Sequence, residues 1–218
     1  MDELFDAIRK GDVERVKSLV EGDRELANAR QNNVSAILTA LYHGQSAIAA
    51  FLAAAATSID FHEACALGDF ARVREMLDRD PSLLNRYSPD GFPPLGLAIF
   101  FRHRDVAKLL IERGADVNAA ATNAQKVAPV HAAAAVRDVD TMRLLLERGA
   151  DPNATQQMDV TPLHGAASRG DVEMAKLLLS HGANADAKMS DGTSVTDLAA
   201  KYSQPAFADW FRSRAVGK

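Results

Sequence analysis

The chain holds one cysteine, Cys65, among 218 residues. A lone thiol excludes an internal disulfide framework and suits a reducing compartment. Basic residues are in no excess. Lys and Arg number 25 against 29 Asp and Glu, for a formal net charge of -4, whereas a nucleic-acid binder ordinarily shows a basic surplus. Aromatics make up only 6% although hydrophobic residues reach 47%, so the core has to be built from small aliphatic side chains. Long apolar runs are missing as well. The longest, Ala47 to Ala56, is too short and too alanine-rich to cross a bilayer. The opening residues Met1-Asp2-Glu3-Leu4-Phe5-Asp6 have neither the basic start nor the apolar stretch of a secretory signal. These absences predict a cytoplasmic protein with neither nucleic acid nor membrane among its partners.

The residues that carry chemistry are equally sparse in arrangement. There is no phosphate-cradling Gly-x-x-x-x-Gly-Lys and no nucleophile elbow. His43, His103 and His181 do not stand at metal-ligand spacing, and no Cys-x-x-Cys accompanies them. Cys65 follows Ala64 at a small-residue position and reads as a buried, inert thiol. Carboxylates fall on polar helix faces and in turns, where charge is solvated. The expectation is a protein with no catalytic residues, no metal and no cofactor.

What the sequence does have is repetition. Thr161-Pro162-Leu163-His164-Gly165-Ala166 leads into a leucine run at Leu177-Leu178-Leu179 and then Gly182-Ala183-Asn184-Ala185-Asp186. The same order appears from Ala128-Pro129-Val130-His131 through Leu144-Leu145-Leu146 to Gly149-Ala150-Asp151-Pro152-Asn153. It appears again from Pro93-Pro94-Leu95 through Leu109-Leu110 to Gly114-Ala115-Asp116-Val117-Asn118. A pitch near 33 residues with T-P-L-H, a leucine run and G-A-D-x-N resembles the ankyrin repeat. Weaker copies start near Asp2, Ser35, Ile59 and Ser194. The resemblance implies one all-α repeat solenoid over 1–218, built of paired antiparallel helices with projecting β-turn fingers. Its seven units would run 1–33 as an N-terminal cap, 34–57, 58–91, 92–126, 127–159, 160–192, and 193–218 as a C-terminal cap.

Each recurring residue has a physical task. Thr caps the first helix of a unit, and Pro follows where its missing N–H costs nothing. Glycine after the first helix (Gly11, Gly44, Gly68, Gly170) supplies a left-handed turn. Arg102 and Arg137 stand where that glycine is expected. The recurring His62, His131 and His164 suit a scaffold, since catalysis needs one site and not one per unit. The resemblance implies that they bond loops of adjacent repeats.

The array is irregular in three places. The interval from Ser35 to Ile59 falls well short of the repeat pitch, and no Gly-Ala-Asp follows Phe51-Leu52. This predicts a short second unit without a finger, turning directly into the next helix with Thr57 or Ser58 as its cap. The finger after Asn118 is lengthened instead. At the C-terminal end, Trp210 and Phe211 are expected to close the last core layer, with Arg212 and Arg214 facing water.

The resemblance also places the variable, partner-facing positions on finger tips and just before the inter-helix turn. Here those positions give a candidate binding set of Tyr42, His43, Leu67, Tyr87, Phe92, Phe100, Phe101, Val136, Met158, Val160, Arg169 and Tyr202. Tyr42, Leu67, Phe92, Phe101 and Val136 make an apolar row expected to project into a concave groove, with Lys10, Arg169 and Lys201 at its ends. Of the adjacent Phe100 and Phe101, one should remain exposed. Apolar patches with polar rims mark interaction sites, and aromatics are frequent anchors. The sequence thus predicts a non-enzymatic, monomeric module that grips a protein partner bearing an acidic feature. The alternatives are an inhibitor or immunity-type regulator that occludes one enzyme, an enzyme or small-molecule binder, and a homodimer formed through the apolar face.

Overall fold

The computed structural model describes residues 1–214, so the last four residues of the 193–218 unit lie outside the described part. Two compact units divide the chain, Met1–Val106 and Ala107–Lys218, with the boundary inside one helix.

In the first unit the helices come in short pairs: α1 (Asp2–Lys10) with α2 (Val13–Gly22), α3 (Ala36–Tyr42) with α4 (Ser46–Ala55), and α5 (Phe61–Leu67) with α6 (Phe70–Arg79). Then α7 (Pro94–Phe100) follows, and α8 (Arg104–Glu112) runs across the boundary. The first helices pack in a row, α1 on α3, α3 on α5 and α5 on α7, while α2 packs on α4. Phe5, Ile8, Val16, Val20, Ile37, Ile48 and Leu52 form the fully buried heart of this unit.

The second unit repeats the scheme with α9 (Pro129–Val136) and α10 (Val139–Glu147), α11 (Pro162–Ser168) and α12 (Val172–Ser180), and α13 (Val195–Lys201) and α14 (Pro205–Ser213). Again α9 packs on α11 and α11 on α13. The leucine runs supply the core, with Leu145 and Leu178 fully buried. Small residues set the spacing: a Cβ on Gly165 would lie 3.5 Å from the Ala134 Cβ, so α9 and α11 approach closely there.

Helix ends follow from capping chemistry. Asp12, Asp69, Asp138 and Asp171 each accept a backbone N–H at the start of the second helix of a pair, worth about 1 kcal/mol apiece. Gly11, Gly68 and Gly170 end the first helices at φ 71°, 74° and 65°. Arg102 (φ 66°) and Arg137 (φ 58°) adopt the same left-handed backbone in the corresponding turns, as does Ser203 (φ 55°).

Residues 56–60 join α4 to α5, and here the expected cap is corrected. Asp60, not Thr57 or Ser58, caps α5 in a reciprocal box with Glu63. Thr57 is engaged elsewhere: its N–H and hydroxyl both donate to Asn28 Oδ1 at 2.8 Å, and Asn28 Nδ2 donates to the Ser58 carbonyl at 2.7 Å. The second unit uses the same device. Asn118 bonds the Gly149 carbonyl and the Asp151 N–H, and Asn153 bonds the Gly182 carbonyl and the Asn184 N–H. An asparagine ending one repeat thus clamps the turn that ends the next.

The fingers are short hairpins. Strands β1 (Arg30–Gln31) and β2 (Val34–Ser35) pair antiparallel around Asn32 and Asn33, both at positive φ, as a two-residue turn between right-twisted strands requires. In the second unit, Gln156 bridges Val160 and Lys188 bridges Ser194. These fingers are linked by the Gln157 N–H to the Gln125 carbonyl and the Ser190 N–H to the Met158 carbonyl, both 3.1 Å.

The C-terminal end also differs from expectation. Phe207, fully buried, closes the core, with Phe211 stacked on it at 5.8 Å. Arg212 is exposed, but Arg214 lies over the Phe211 ring at 5.0 Å and the Trp210 ring at 5.6 Å. The half-buried rings offer its guanidinium a cation–π seat.

Candidate functional site

In the first unit the inner ends of α3, α5 and α7 carry a second, small apolar cluster. Leu38, Ala66 and Leu97 form its buried floor, and Val34, Leu41, Tyr42, Phe92 and Phe101 pack against that floor half-buried. The Tyr42 ring sits 6.1 Å from Phe92 and 5.7 Å from Phe101, and Phe100 meets Phe101 edge-on at 5.1 Å. Phe100 itself is 48% exposed. Of the two adjacent phenylalanines it is the one left facing solvent.

Polar bonds fix the cluster. The Tyr42 hydroxyl donates to Asp90 Oδ2 at 2.7 Å, and the Ser88 hydroxyl donates to Asp90 Oδ1 at 2.6 Å. Ser88 Oγ accepts the Phe92 N–H, and the Ser88 N–H donates back to the Phe92 carbonyl. The finger before α7 is therefore fastened to Tyr42 on α3, across α5. Burial, together with the Asp90 carboxylate, raises the Tyr42 pKa and keeps the phenol protonated. Beside Tyr42 lies a cavity of about 210 Å³ lined by Arg9, Gln31, Asn32, Val34, Thr39 and His43, with no carboxylate in its wall.

Of the predicted set, Tyr42, Phe92 and Phe101 thus come together, with Phe100 at their edge and His43 exposed next door. Tyr87 stands exposed on the adjacent finger. Leu67 departs from the expected row: it packs half-buried against the main core, and Ala66 takes its place under the aromatics. In the second unit, Val136 is buried at 7% exposure and does not project. It ends α9, whose alanine face lets α11 close in, and the left-handed turn begins only at Arg137. Met158 is exposed at a finger tip and Val160 half-buried at its base, while Arg169 and Tyr202 are exposed at the ends of α11 and α13.

The recurring histidines face the next finger. His131 Nδ1 accepts the Ala128 N–H at 3.2 Å, which leaves the proton on Nε2 to donate to the Val160 carbonyl at 3.0 Å. His164 Nδ1 likewise accepts the Thr161 N–H at 3.2 Å. Its buried Nε2 points toward the Thr193 and Ala187 carbonyls but reaches no partner at hydrogen-bond distance. Burial lowers the pKa of both imidazoles. His62 Nε2 lies 2.6 Å from the Arg86 carbonyl. Cys65 is fully buried, and burial pushes its thiol pKa up, away from a reactive thiolate. Among the described residues no three His, Cys, Asp or Glu side chains gather as a metal site, and no helix is long and apolar enough to cross a membrane.

Helix pairs, left-handed turns, fingers and interlocking histidines are the parts of one repeat architecture, and family models for it match the sequence. One described as ankyrin repeats in three copies matches residues 130–215, and one described as the ankyrin repeat matches residues 90–122. Together they span more than half of the chain, which belongs to the ankyrin-repeat family. Ankyrin repeats are in general protein–protein interaction modules, and proteins built of them are typically non-enzymatic scaffolds. No curated protein matches the sequence.

Proposed function

We propose that this protein is a non-enzymatic binding module that holds a protein partner against the inner helix ends of its first unit, with Tyr42, Phe92, Phe100 and Phe101 as the anchor. One observation carries this reading. Large aromatics are scarce in this chain, yet four are placed side by side, three of them packed into fixed positions and the fourth left 48% exposed. Rigid, partly exposed aromatics lose little freedom on binding, which makes them effective anchors. His43 and the remaining N–H groups of Arg9, which also bonds Asp6 and Gln31, supply donors in the neighbouring cavity wall for an acidic group on the partner.

The test is affinity capture from the source cell with the wild type and two variants. Phe100→Asp alters an exposed side chain and should keep the fold while weakening capture at least tenfold. Phe92→Asp with Phe101→Asp should abolish it. Undiminished capture by a folded Phe100→Asp protein would defeat the proposal. A single stoichiometric ligand that is itself an enzyme would identify an inhibitor; several ligands would identify an adaptor.

A further inference from the structure

In the second unit His131 stands where a finger is fastened to the helix before it. His131 and His164 are the third helical residues of α9 and α11, and each spends Nδ1 on accepting the backbone N–H of the residue that precedes its helix. On its other edge, His131 holds the Val160 carbonyl at the base of the finger that carries Met158. An imidazolium has two N–H groups and no acceptor. A proton added to His131 Nδ1 therefore opposes the Ala128 N–H directly, and that ring must leave its seat, whereas at His164 the Thr161 hydroxyl, 2.9 Å from Nδ1, can accept the proton.

The first unit is wired differently. There Asp60 and Glu63 cap α5 between them, so His62 is not needed as a cap. Its Nδ1 lies 4.0 Å from Asp60 Oδ1, and the Asp60 N–H goes to Glu63 instead of to the ring. The charged groups acting on the second unit's rings are Asp151 at His131 and Asp191 at His164. Both favour the cation, and burial outweighs them.

We infer that His131 forms an acid-released latch: mild acid frees the finger at residues 156–160 while the first unit keeps its own. The inference regulates the proposed binding role only where a partner touches Met158 or Val160, and it is tested without a partner. The sign follows from linkage. The folded-state pKa values lie below the unfolded value of about 6.5. The latch is therefore at full strength above that pH and weakens as pH falls below it, by at most about 1.4 kcal/mol per pH unit. That slope corresponds to a tenfold rise in the opening constant per unit.

Amide hydrogen exchange, read as protection factors at pH 7.5 and 5.5, gives the test. Protection at Ala128 and residues 156–160 should fall about tenfold, and protection across residues 60–64 and 88–92 should fall by less than twofold. Equal loss in both units, or none in the second, would overturn the latch. The His131→Gln variant retains an acceptor at the cap and lacks a titrating ring, so its finger should show no extra loss at pH 5.5. A folded variant with the wild-type response would also overturn it. Should that variant not fold, NMR titration of the wild-type imidazole decides: titration of His131 at or above pH 6.5 refutes the latch, and titration well below it upholds the latch.

Discussion

Alanine at Gly68 and at Gly44 should have very different costs, although both glycines occupy left-handed backbone at nearly equal φ, 74° and 71°. Any L-residue there incurs about 1 kcal/mol of strain. At Gly44 that is the whole effect, because a Cβ would meet nothing within 4 Å. At Gly68 a Cβ would lie 2.3 Å from His103 Nδ1 and 2.7 Å from two ring carbons. The ring cannot swing aside freely. Its Nε2 sits 2.9 Å from the Ala66 carbonyl, and the preceding Arg102 already holds φ 66°. Displacing it forfeits a hydrogen bond worth about 1 kcal/mol and adds overpacking of about 1–3 kcal/mol. Gly68→Ala should therefore cost about 3–5 kcal/mol against about 1 for Gly44→Ala, measured by urea unfolding. Replacing His103 by Ala as well should recover much of the loss, giving a strongly non-additive cycle. If the two glycine variants differ by less than about 0.5 kcal/mol, or the double variant is simply additive, the close-approach argument is wrong.

The asparagine clamps and the left-handed arginine provide further checks. Asn28→Ala removes the hydrogen bonds to Thr57 and Ser58 and should cost about 2 kcal/mol, while Asn28→Asp, which keeps the acceptor for Thr57, should cost less; equal losses on denaturant titration would contradict the assignment. Arg137 sits at φ 58° with its Nε 3.1 Å from Asp171 Oδ2. Arg137→Gly relieves the strain and gives up an ion pair whose arginine is exposed and whose Asp171 is buried but keeps the Met174 N–H; with the lost pair worth about 1 kcal/mol, the variant should stay close to wild type in thermal unfolding. Arg137→Ala keeps the strain and should fall about 1 kcal/mol below the glycine variant; identical melting of the two would mean that the turn stores no strain.

The repeat was legible because its signals are periodic and local. The left-handed glycine and the leucine run each work within one helix pair, and the histidine bonds its own helix start, so reading one repeat ahead finds them again. What the sequence concealed depends on choices among equals or on distant partners. Thr57, Ser58 and Asp60 are all good caps, and Glu63, three residues after Asp60, was the discriminating signal. Val136 reads as a surface valine, yet it is buried at the end of α9, the helix whose Ala134 faces Gly165 of α11 at close range. Arg214 reads as a solvated end charge, and the rings that seat it lie on its own helix. The bond from Tyr42 to Asp90 spans 48 positions and belongs to no repeat pattern.

That last bond explains why the aromatics gather where the repeat is least regular. The link 56–60 carries no hairpin, so the face of α5 between the neighbouring fingers has no finger of its own to cover it. The residue of α5 beneath that space is Ala66, fully buried and too small to fill it. Tyr42 from α3 and Phe92 and Phe101 from either end of α7 meet above it, and Asp90 ties the first of them down. A regular unit would cover this region with its own finger. Here it is roofed by side chains, which differ from a finger in presenting rings to whatever lies above them, Phe100 most of all. The hairpin-free link 56–60 and the large side chains of Tyr42, Phe92 and Phe101 therefore meet at one place in the first unit, the place where Phe100 is left exposed.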